Sequence, residues 1–221
     1  MEAMRRGDFD RAWQISDAIL RERVAGGATC WHWPRHLQYV WNGAPLAGKR
    51  VLVRCYHGLG DTIQFIRFAA PLRAIASHVT VWVQPELLAL VGTAPGVDAV
   101  LPLHDGTPDA AYDLDIEIME LPHALRITPA TLPRRVPYLV PPAARAVLPE
   151  TAARRVGIAW KAGGWDPARS VPTPLIRTLA DAPGIELVSL QLGLGSDELA
   201  LAGMTDISTA DVTEAATRMG G

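Results

Sequence analysis

Apolar residues recur over residues 8–24 (DFDRAWQISDAILRERV), where Phe9, Ala12, Trp13, Ile15, Ile19 and Leu20 roughly follow the 3.6-residue spacing of an amphipathic helix. Asp8 can cap the start of this helix and Gly26-Gly27 can end it. Residues 28–48 show no period, and their Trp, Pro and Gly predict a connector that packs its aromatics on a larger body. From residue 50 the pattern changes. RVLVRCY (50–56) is an apolar, β-branched run of strand length, and a Gly-containing turn leads into a helix from about 61 to 76 carrying Ile63, Phe65, Ile66, Phe68, Ala69 and Leu72. A strand at 78–83, a helix at 85–92, a short strand near 98–102, a strand at 112–118 and a last one at 136–140 (VPYLV) follow. Strands alternating with helices predict βαβ units and a mostly parallel sheet covered on both faces.

The Pro/Ala-rich stretch 141–155 reads as a linker, after which the alternation restarts. A strand at 155–160, a Gly-rich loop, a helix at 172–182, a strand at 185–193 and a helical stretch at 210–219 are expected. The predicted organisation is a helical N-terminal segment (1–47), a Rossmann-like domain (48–142), a linker (143–154) and a second Rossmann-like domain (155–221). Two βα units would leave sheet edge and helix faces open, so the second domain is expected to be incomplete.

Composition narrows the field without naming a function. Of 221 residues, 49% are hydrophobic and 20% charged, as in a globular protein. The net charge of −2 offers no basic field for phosphates, which argues against nucleic-acid binding. Two cysteines, Cys30 and Cys55, fit a reduced, cytoplasmic setting. No run reaches the roughly 18 apolar residues that a membrane span requires. The charged start MEAMRRGD has no apolar core of a secretory signal.

The sharpest local signal is YHGLGDTIQ (56–64), at the first strand-to-helix turn. Glycines there let the backbone turn tightly and approach a ligand, at an edge where open α/β folds bind. It is not a dinucleotide fingerprint: the third Gly of G-x-G-x-x-G would fall at Ile63, and Gln84-Pro85 follow the next strand where an acidic residue would hold the ribose. Asp61 has two readings, a helix cap in D-x-x-Q with Gln64 or a functional carboxylate at the sheet's carboxyl edge. The second signal, WKAGGWDPARSVP (160–172), follows the first strand of the second unit. Lys161 and Arg169 could hold a diphosphate, or the loop could be solvated with Ser170 as a cap.

Asp113-Leu114-Asp115 formally matches a D-x-D metal site, but YDLDIEI alternates. Asp113, Asp115 and Glu117 then share one strand face, whereas metal sites want oxygens converging from a loop or strand end. No metal is expected. The six His show no zinc spacing and no G-x-S-x-G elbow is present.

The segment WNGAPLAGKRVLVRCYHGLGDTIQFIRFAAPLRA (41–74) resembles the tetratricopeptide-linked glycosyltransferases of bacteria. These are relatives of the family 9 heptosyltransferases and, more distantly, of the O-linked N-acetylglucosamine transferases. The resemblance continues through VTVWVQPELLALVGTAPGVDAV, YDLDIEIMELPHAL, TPATLPRRVPYLVPP and RVGIAWKAGGWDPARSVPTPLIRTLADAPGIELVSLQLG, covering roughly residues 41–193. It implies a GT-B fold, in which two Rossmann-like domains face one cleft, with the acceptor on the first and most of the nucleotide-sugar on the second. It implies Asp61 as the base that deprotonates the acceptor hydroxyl. Lys161, Arg169 and Ser170 would meet the donor phosphates, and His57, Gly58, Gly60, Gln64, Glu120 and His123 would line the cleft.

Such transfer inverts the anomeric carbon without metal. It calls for no cofactor beyond the nucleotide-sugar as co-substrate, with a glycan or protein acceptor. The sequence departs from the resemblance where it stops at Met219-Gly220-Gly221, before a D-[ST]-x-x-x-H-L-x-G-A segment. The expectation is therefore a truncated transferase, inactive or weakly active alone, completed by a C-terminal polypeptide or forming a homo-oligomer. Residues 1–24 resemble the remnant of one helical repeat. The alternative is a non-catalytic glycan- or protein-binding module; a plain α/β nucleotide-binding protein is weakened by the absent fingerprint.

Overall fold

In the computed structural model, which describes residues 2–27, 29–141, 151–162, 166–194, 198–200 and 203–219, the chain divides into two compact units, Met1–Val140 and Pro141–Gly221. The first is built on four parallel strands, β1 (Arg50–Arg54), β2 (His78–Val83), β3 (Ala99–Pro102) and β4 (Leu114–Glu117), in the order β3-β2-β1-β4. Central strands of a parallel sheet are covered on both faces, so they read as unbroken apolar runs. Val51–Val53 of β1 and Val79–Val83 of β2 are buried accordingly.

The helix expected over 61–76 is present in pieces: α3 (Leu59–Phe65), a tighter 3-10 turn at Ile66–Phe68, and α4 (Ala69–Arg73). Pro71 explains the break. It has no N–H to return to the Arg67 carbonyl, and its ring would press against that group, so the chain tightens before it. The next helix likewise splits into a 3-10 turn at Pro85–Leu87 and α5 (Leu88–Val91). VPYLV (136–140) is not a strand. Val136 and Val140 are exposed, and Pro137 cannot contribute a ladder donor. The segment is held instead by Tyr138, whose hydroxyl donates to the Ile63 carbonyl (2.9 Å) and accepts from Arg67 Nη2 (3.0 Å).

Ahead of the sheet lie α1 (Glu2–Arg5) and α2 (Phe9–Ala25), the latter capped as expected by Asp8, whose Oδ1 accepts the Arg11 N–H at 3.0 Å. The buried face of α2 differs from the expectation. Ala12, Trp13 and Leu20 are buried, whereas Ile15 and Ile19 are exposed at 43% and 57%. Trp13, the largest side chain, sets the packed stripe, and that stripe carries Asp17 inward toward α6 (Leu121–Ala124), where it meets His123 and Arg126.

The second unit holds β5 (Arg154–Ile158), β6 (Ile185–Ser189) and β7 (Thr205–Asp206), parallel and in that spatial order, with α7 (Thr173–Ala180) and α8 (Val212–Met219). Its core is smaller, centred on Trp160 and Ile176 with Ile158, Leu194 and Met204 packed against them. The two-residue β7 had no counterpart in the sequence reading; a strand that short carries no readable alternation. Most of the expected linker, 142–150, lies outside the described residues. No helix among the described residues is long and apolar enough to cross a membrane.

Candidate functional site

The chain runs from β1 outward to β2 and β3, then returns to place β4 on the other side of β1. Ligands of open α/β sheets sit outside the carboxyl ends of the strands at such a reversal. The residues following β1 and β4 meet there. His57, in the turn after β1, places Nδ1 3.0 Å from Oε1 of Glu117, the last residue of β4. The Glu117 side chain is only 2% exposed, and that of His57 is 26% exposed.

Glu117 belongs to a ladder that the strand alternation announces without its partners. The acidic face of β4 is matched by basic residues of β1 and its loop: Asp113 with Arg50 (2.8 Å), Asp115 with Arg54 (2.7 Å), and Glu117 with His57. Parallel register places Arg54 beside Glu117 and Val51 beside Leu114, so the charges fall on one face. Arg50 holds the Asp113 carboxyl at about 2, by hydrogen bonds from its side chain and backbone. The oxygens of the D-x-D pair are therefore engaged by arginines. Among the described residues no three His, Cys, Asp or Glu side chains cluster as a metal site. Burial pushes the Glu117 carboxyl above its usual range, against hydrogen bonds from His57 and from the Met119 and Tyr56 N–H groups.

The turn between His57 and α3 has a different local logic from the one expected. Neither Gly58 nor Gly60 adopts a positive φ, so backbone twist does not demand glycine here. A Cβ on Gly60 would meet nothing within 4 Å, which leaves that side of the turn open. Asp61 is not the N-cap: α3 starts two residues earlier, and Asp61 reaches back to accept the Gly58 N–H at 3.1 Å. Gln64 is exposed. Gln84, immediately after β2, donates to the His57 carbonyl (2.6 Å) and accepts from the Thr62 hydroxyl (3.1 Å), locking the turn to the next strand.

Glu120 and His123 occupy a different place. One Glu120 oxygen accepts the N–H groups of Val40, Trp41 and Glu117 at 3.1, 2.9 and 3.1 Å, and the other meets Arg23 at 3.2 Å. His123 stacks on Trp13, meets Trp41 edge-on and bonds Asp17 at 2.9 Å. Both side chains are occupied in fastening the N-terminal segment, rather than lining the edge where His57 stands. Arg126 and His123 hold the Asp17 carboxyl below its usual range, despite partial burial. A group with a lowered native pKa adds stability above its unfolded value and loses it as pH falls through the native one. Acid should therefore weaken the α2–α6 docking below about pH 4. In Asp17→Asn that acid-dependent loss of thermal midpoint should disappear, with a lower midpoint at neutral pH; an unchanged acid limb would contradict the assignment.

In the second unit the described residues after β5 are tied together by hydrogen bonds. The Trp160 and Lys161 N–H groups donate to Gln191 Oε1 at 3.2 and 2.8 Å, tying the end of β5 to the end of β6. Ser170 Oγ accepts the Ala162 N–H at 3.0 Å, and the Val171 N–H returns to the Trp160 carbonyl at 2.9 Å. Lys161 Nζ lies 2.6 Å from Glu198 Oε1, which also accepts from the Thr173 hydroxyl at 2.9 Å. The Lys161 bond holds the Glu198 carboxyl below its usual range. Arg169 is exposed at the end of the 3-10 turn Pro167–Arg169. Gly163, Gly164 and Trp165 lie outside the described residues.

The sequence shows Glu117 only as an acid on a strand face and Gln84 only as the residue standing where a ribose-binding acid would be, and it gives Gln191 and Glu198 no role. Gln84 directly follows β2 and Gln191 lies two residues past the end of β6, and that position near a strand's carboxyl end is the available signal. Fold and site together define a mixed α/β protein of Rossmann-like architecture, with a polar cluster at the strand-order reversal of its larger sheet. Comparison with protein-family models, with curated proteins and with solved structures gives no match to this chain.

Proposed function

We propose that this chain is a glycosyltransferase-like protein of GT-B type, carrying an inverting, metal-independent transfer of a sugar from a nucleotide-sugar to an acceptor hydroxyl. The reading rests on the resemblance of residues 41–193. The observation that carries it is the position of the GLGD turn, with its His57–Glu117 pair, at the carboxyl ends of β1 and β4. Acceptor hydroxyls need a base at such an edge, a role that the resemblance implies for Asp61 and that the His57–Glu117 pair also fits. By the same resemblance, Lys161 and Arg169 in the loop after β5 are the positive groups for the diphosphate of a nucleotide-sugar, with Ser170 as a hydrogen-bond partner. A glycan- or protein-binding module without turnover is the second reading, supported by the exposed rings of Trp31 and Trp33, at 54% and 44%.

Incubation with UDP-, GDP- and ADP-linked hexoses and heptoses, with mixed saccharide acceptors and a chelator, tests the transfer. Nucleoside diphosphate release should persist in chelator and fall by about 10-fold or more in Arg169→Ala, as expected for loss of one charged contact. Release abolished by the chelator, or unchanged in Arg169→Ala, would contradict the proposal. Glu198→Gln should free Lys161 and tighten nucleoside diphosphate binding by about 3-fold, the scale of one half-exposed ion pair. Unchanged affinity would remove Lys161 from the phosphate site.

A further inference from the structure

His57 is held more closely than a lining residue needs. Its Nδ1 faces a carboxylate whose other oxygen accepts the Met119 N–H at 2.7 Å, while the first also accepts the Tyr56 N–H at 3.3 Å. Its carbonyl is fixed by Gln84, so backbone and ring are both oriented. A carboxylate accepting backbone N–H bonds at both oxygens is an acceptor toward the imidazole as well, which places a ring hydrogen on Nδ1, so that in the neutral ring Nε2 carries the lone pair. Among the described residues no hydrogen bond engages Nε2, and the side chain is a quarter exposed. A buried carboxylate orienting a partly exposed imidazole is the arrangement of a base with its orienter. Asp61, by contrast, is bonded to Gly58 as part of the helix start.

We infer that His57, oriented by Glu117, is the group that takes the proton from the acceptor hydroxyl, with Asp61 shaping the turn that presents it. The inference rests on the transfer reading above and names its proton acceptor. The hydroxyl proton passes to His57 Nε2 as the hydroxyl oxygen bonds to the anomeric carbon. The bond from that carbon to the diphosphate oxygen breaks, and its electron pair leaves with the nucleoside diphosphate. The imidazolium is stabilised by the Glu117 carboxylate, which takes no proton, and returns its own to water. Glu117 is a positioning residue. The titratable and charged groups around the pair are Arg54, Cys55 and Tyr56 on β1 and its loop, Asp61 on α3, and Asp115 and Glu120 on β4 and the turn after it.

Two measurements on the full chain test this. Nitrogen-15 NMR of labelled histidines, with His57 assigned by its absence from His57→Gln, should show the neutral ring protonated at Nδ1, a preference lost in Glu117→Leu. A ring protonated at Nε2 in the wild-type protein would overturn the inference without touching the transfer reading. In the nucleoside diphosphate release assay, His57→Gln should lower kcat by about 100-fold or more with little change in KM, the scale of general-base loss. Glu117→Gln should lower kcat less than His57→Gln does, because it removes the orienting group and leaves the imidazole in place. Wild-type kcat in His57→Gln would sink the inference alone. Release that stops in chelator would sink the transfer reading and the inference with it.

Discussion

Glu120→Ala should lower the stability of the first unit by about 3 kcal/mol, although Glu120 lies outside the sheet core. One oxygen of this carboxylate accepts three backbone N–H groups, from Val40, Trp41 and Glu117. Truncation leaves those donors without a partner, and an unsatisfied buried donor costs roughly 1–3 kcal/mol. Arg23 loses its carboxylate as well, with both side chains only about one-fifth exposed. The thermal midpoint should fall by about 10 °C, at the few degrees per kcal/mol expected for a unit of this length. Trp41 and Trp13 fluorescence should shift toward that of wet indole as the N-terminal segment loosens. Glu120→Gln keeps one oxygen for the three donors and should be much milder. A Glu120→Ala midpoint within about 2 °C of wild type would show that the segment is held by its aromatics alone.

Gly96→Ala should cost as much for a different reason. Gly96 sits at φ +88° in the turn before β3, and a Cβ there would lie 2.5 Å from the Ala69 carbonyl oxygen and 2.6 Å from Ala70 Cα. Both obstacles are backbone at the start of α4, so neither can swing aside. Left-handed strain contributes about 1–2 kcal/mol, and forcing α4 away from the sheet adds about 1–3 kcal/mol. Gly48 provides the control: its φ is +70°, but a Cβ would meet nothing within 4 Å. Gly48→Ala should therefore show the strain component alone, and equal midpoints for the two variants would contradict the close approach of turn and helix.

The fold was legible wherever one short segment contains its own cause. β1 and β2 announce themselves because a strand buried on both faces must be apolar along its length. VPYLV carries the same signature, yet Pro137 and an anchoring Tyr138 make it an exposed strap. On α2 the spacing alone could not choose between the Ile15–Ile19 side and the Trp13 side; the Asp17 contacts with His123 and Arg126 decide it, more than 100 residues away in sequence. The site shows the same division. His57, Gly58, Gly60 and Asp61 are visible as a turn after a strand. Glu117 is not, because its partner lies 60 residues back and is chosen by the register of β4 on β1. Three acidic residues on one face of a strand that a parallel sheet must cover were the clue that partners were required.

Calorimetric titration of UDP, GDP and ADP into the full chain, in chelator, reports most directly on whether the loop after β5 holds a diphosphate. The account predicts heat of binding for at least one nucleotide, tightened in Glu198→Gln and weakened by about 10-fold in Arg169→Ala. No heat at millimolar concentration of any of the three, or heat unchanged in Arg169→Ala, would contradict it.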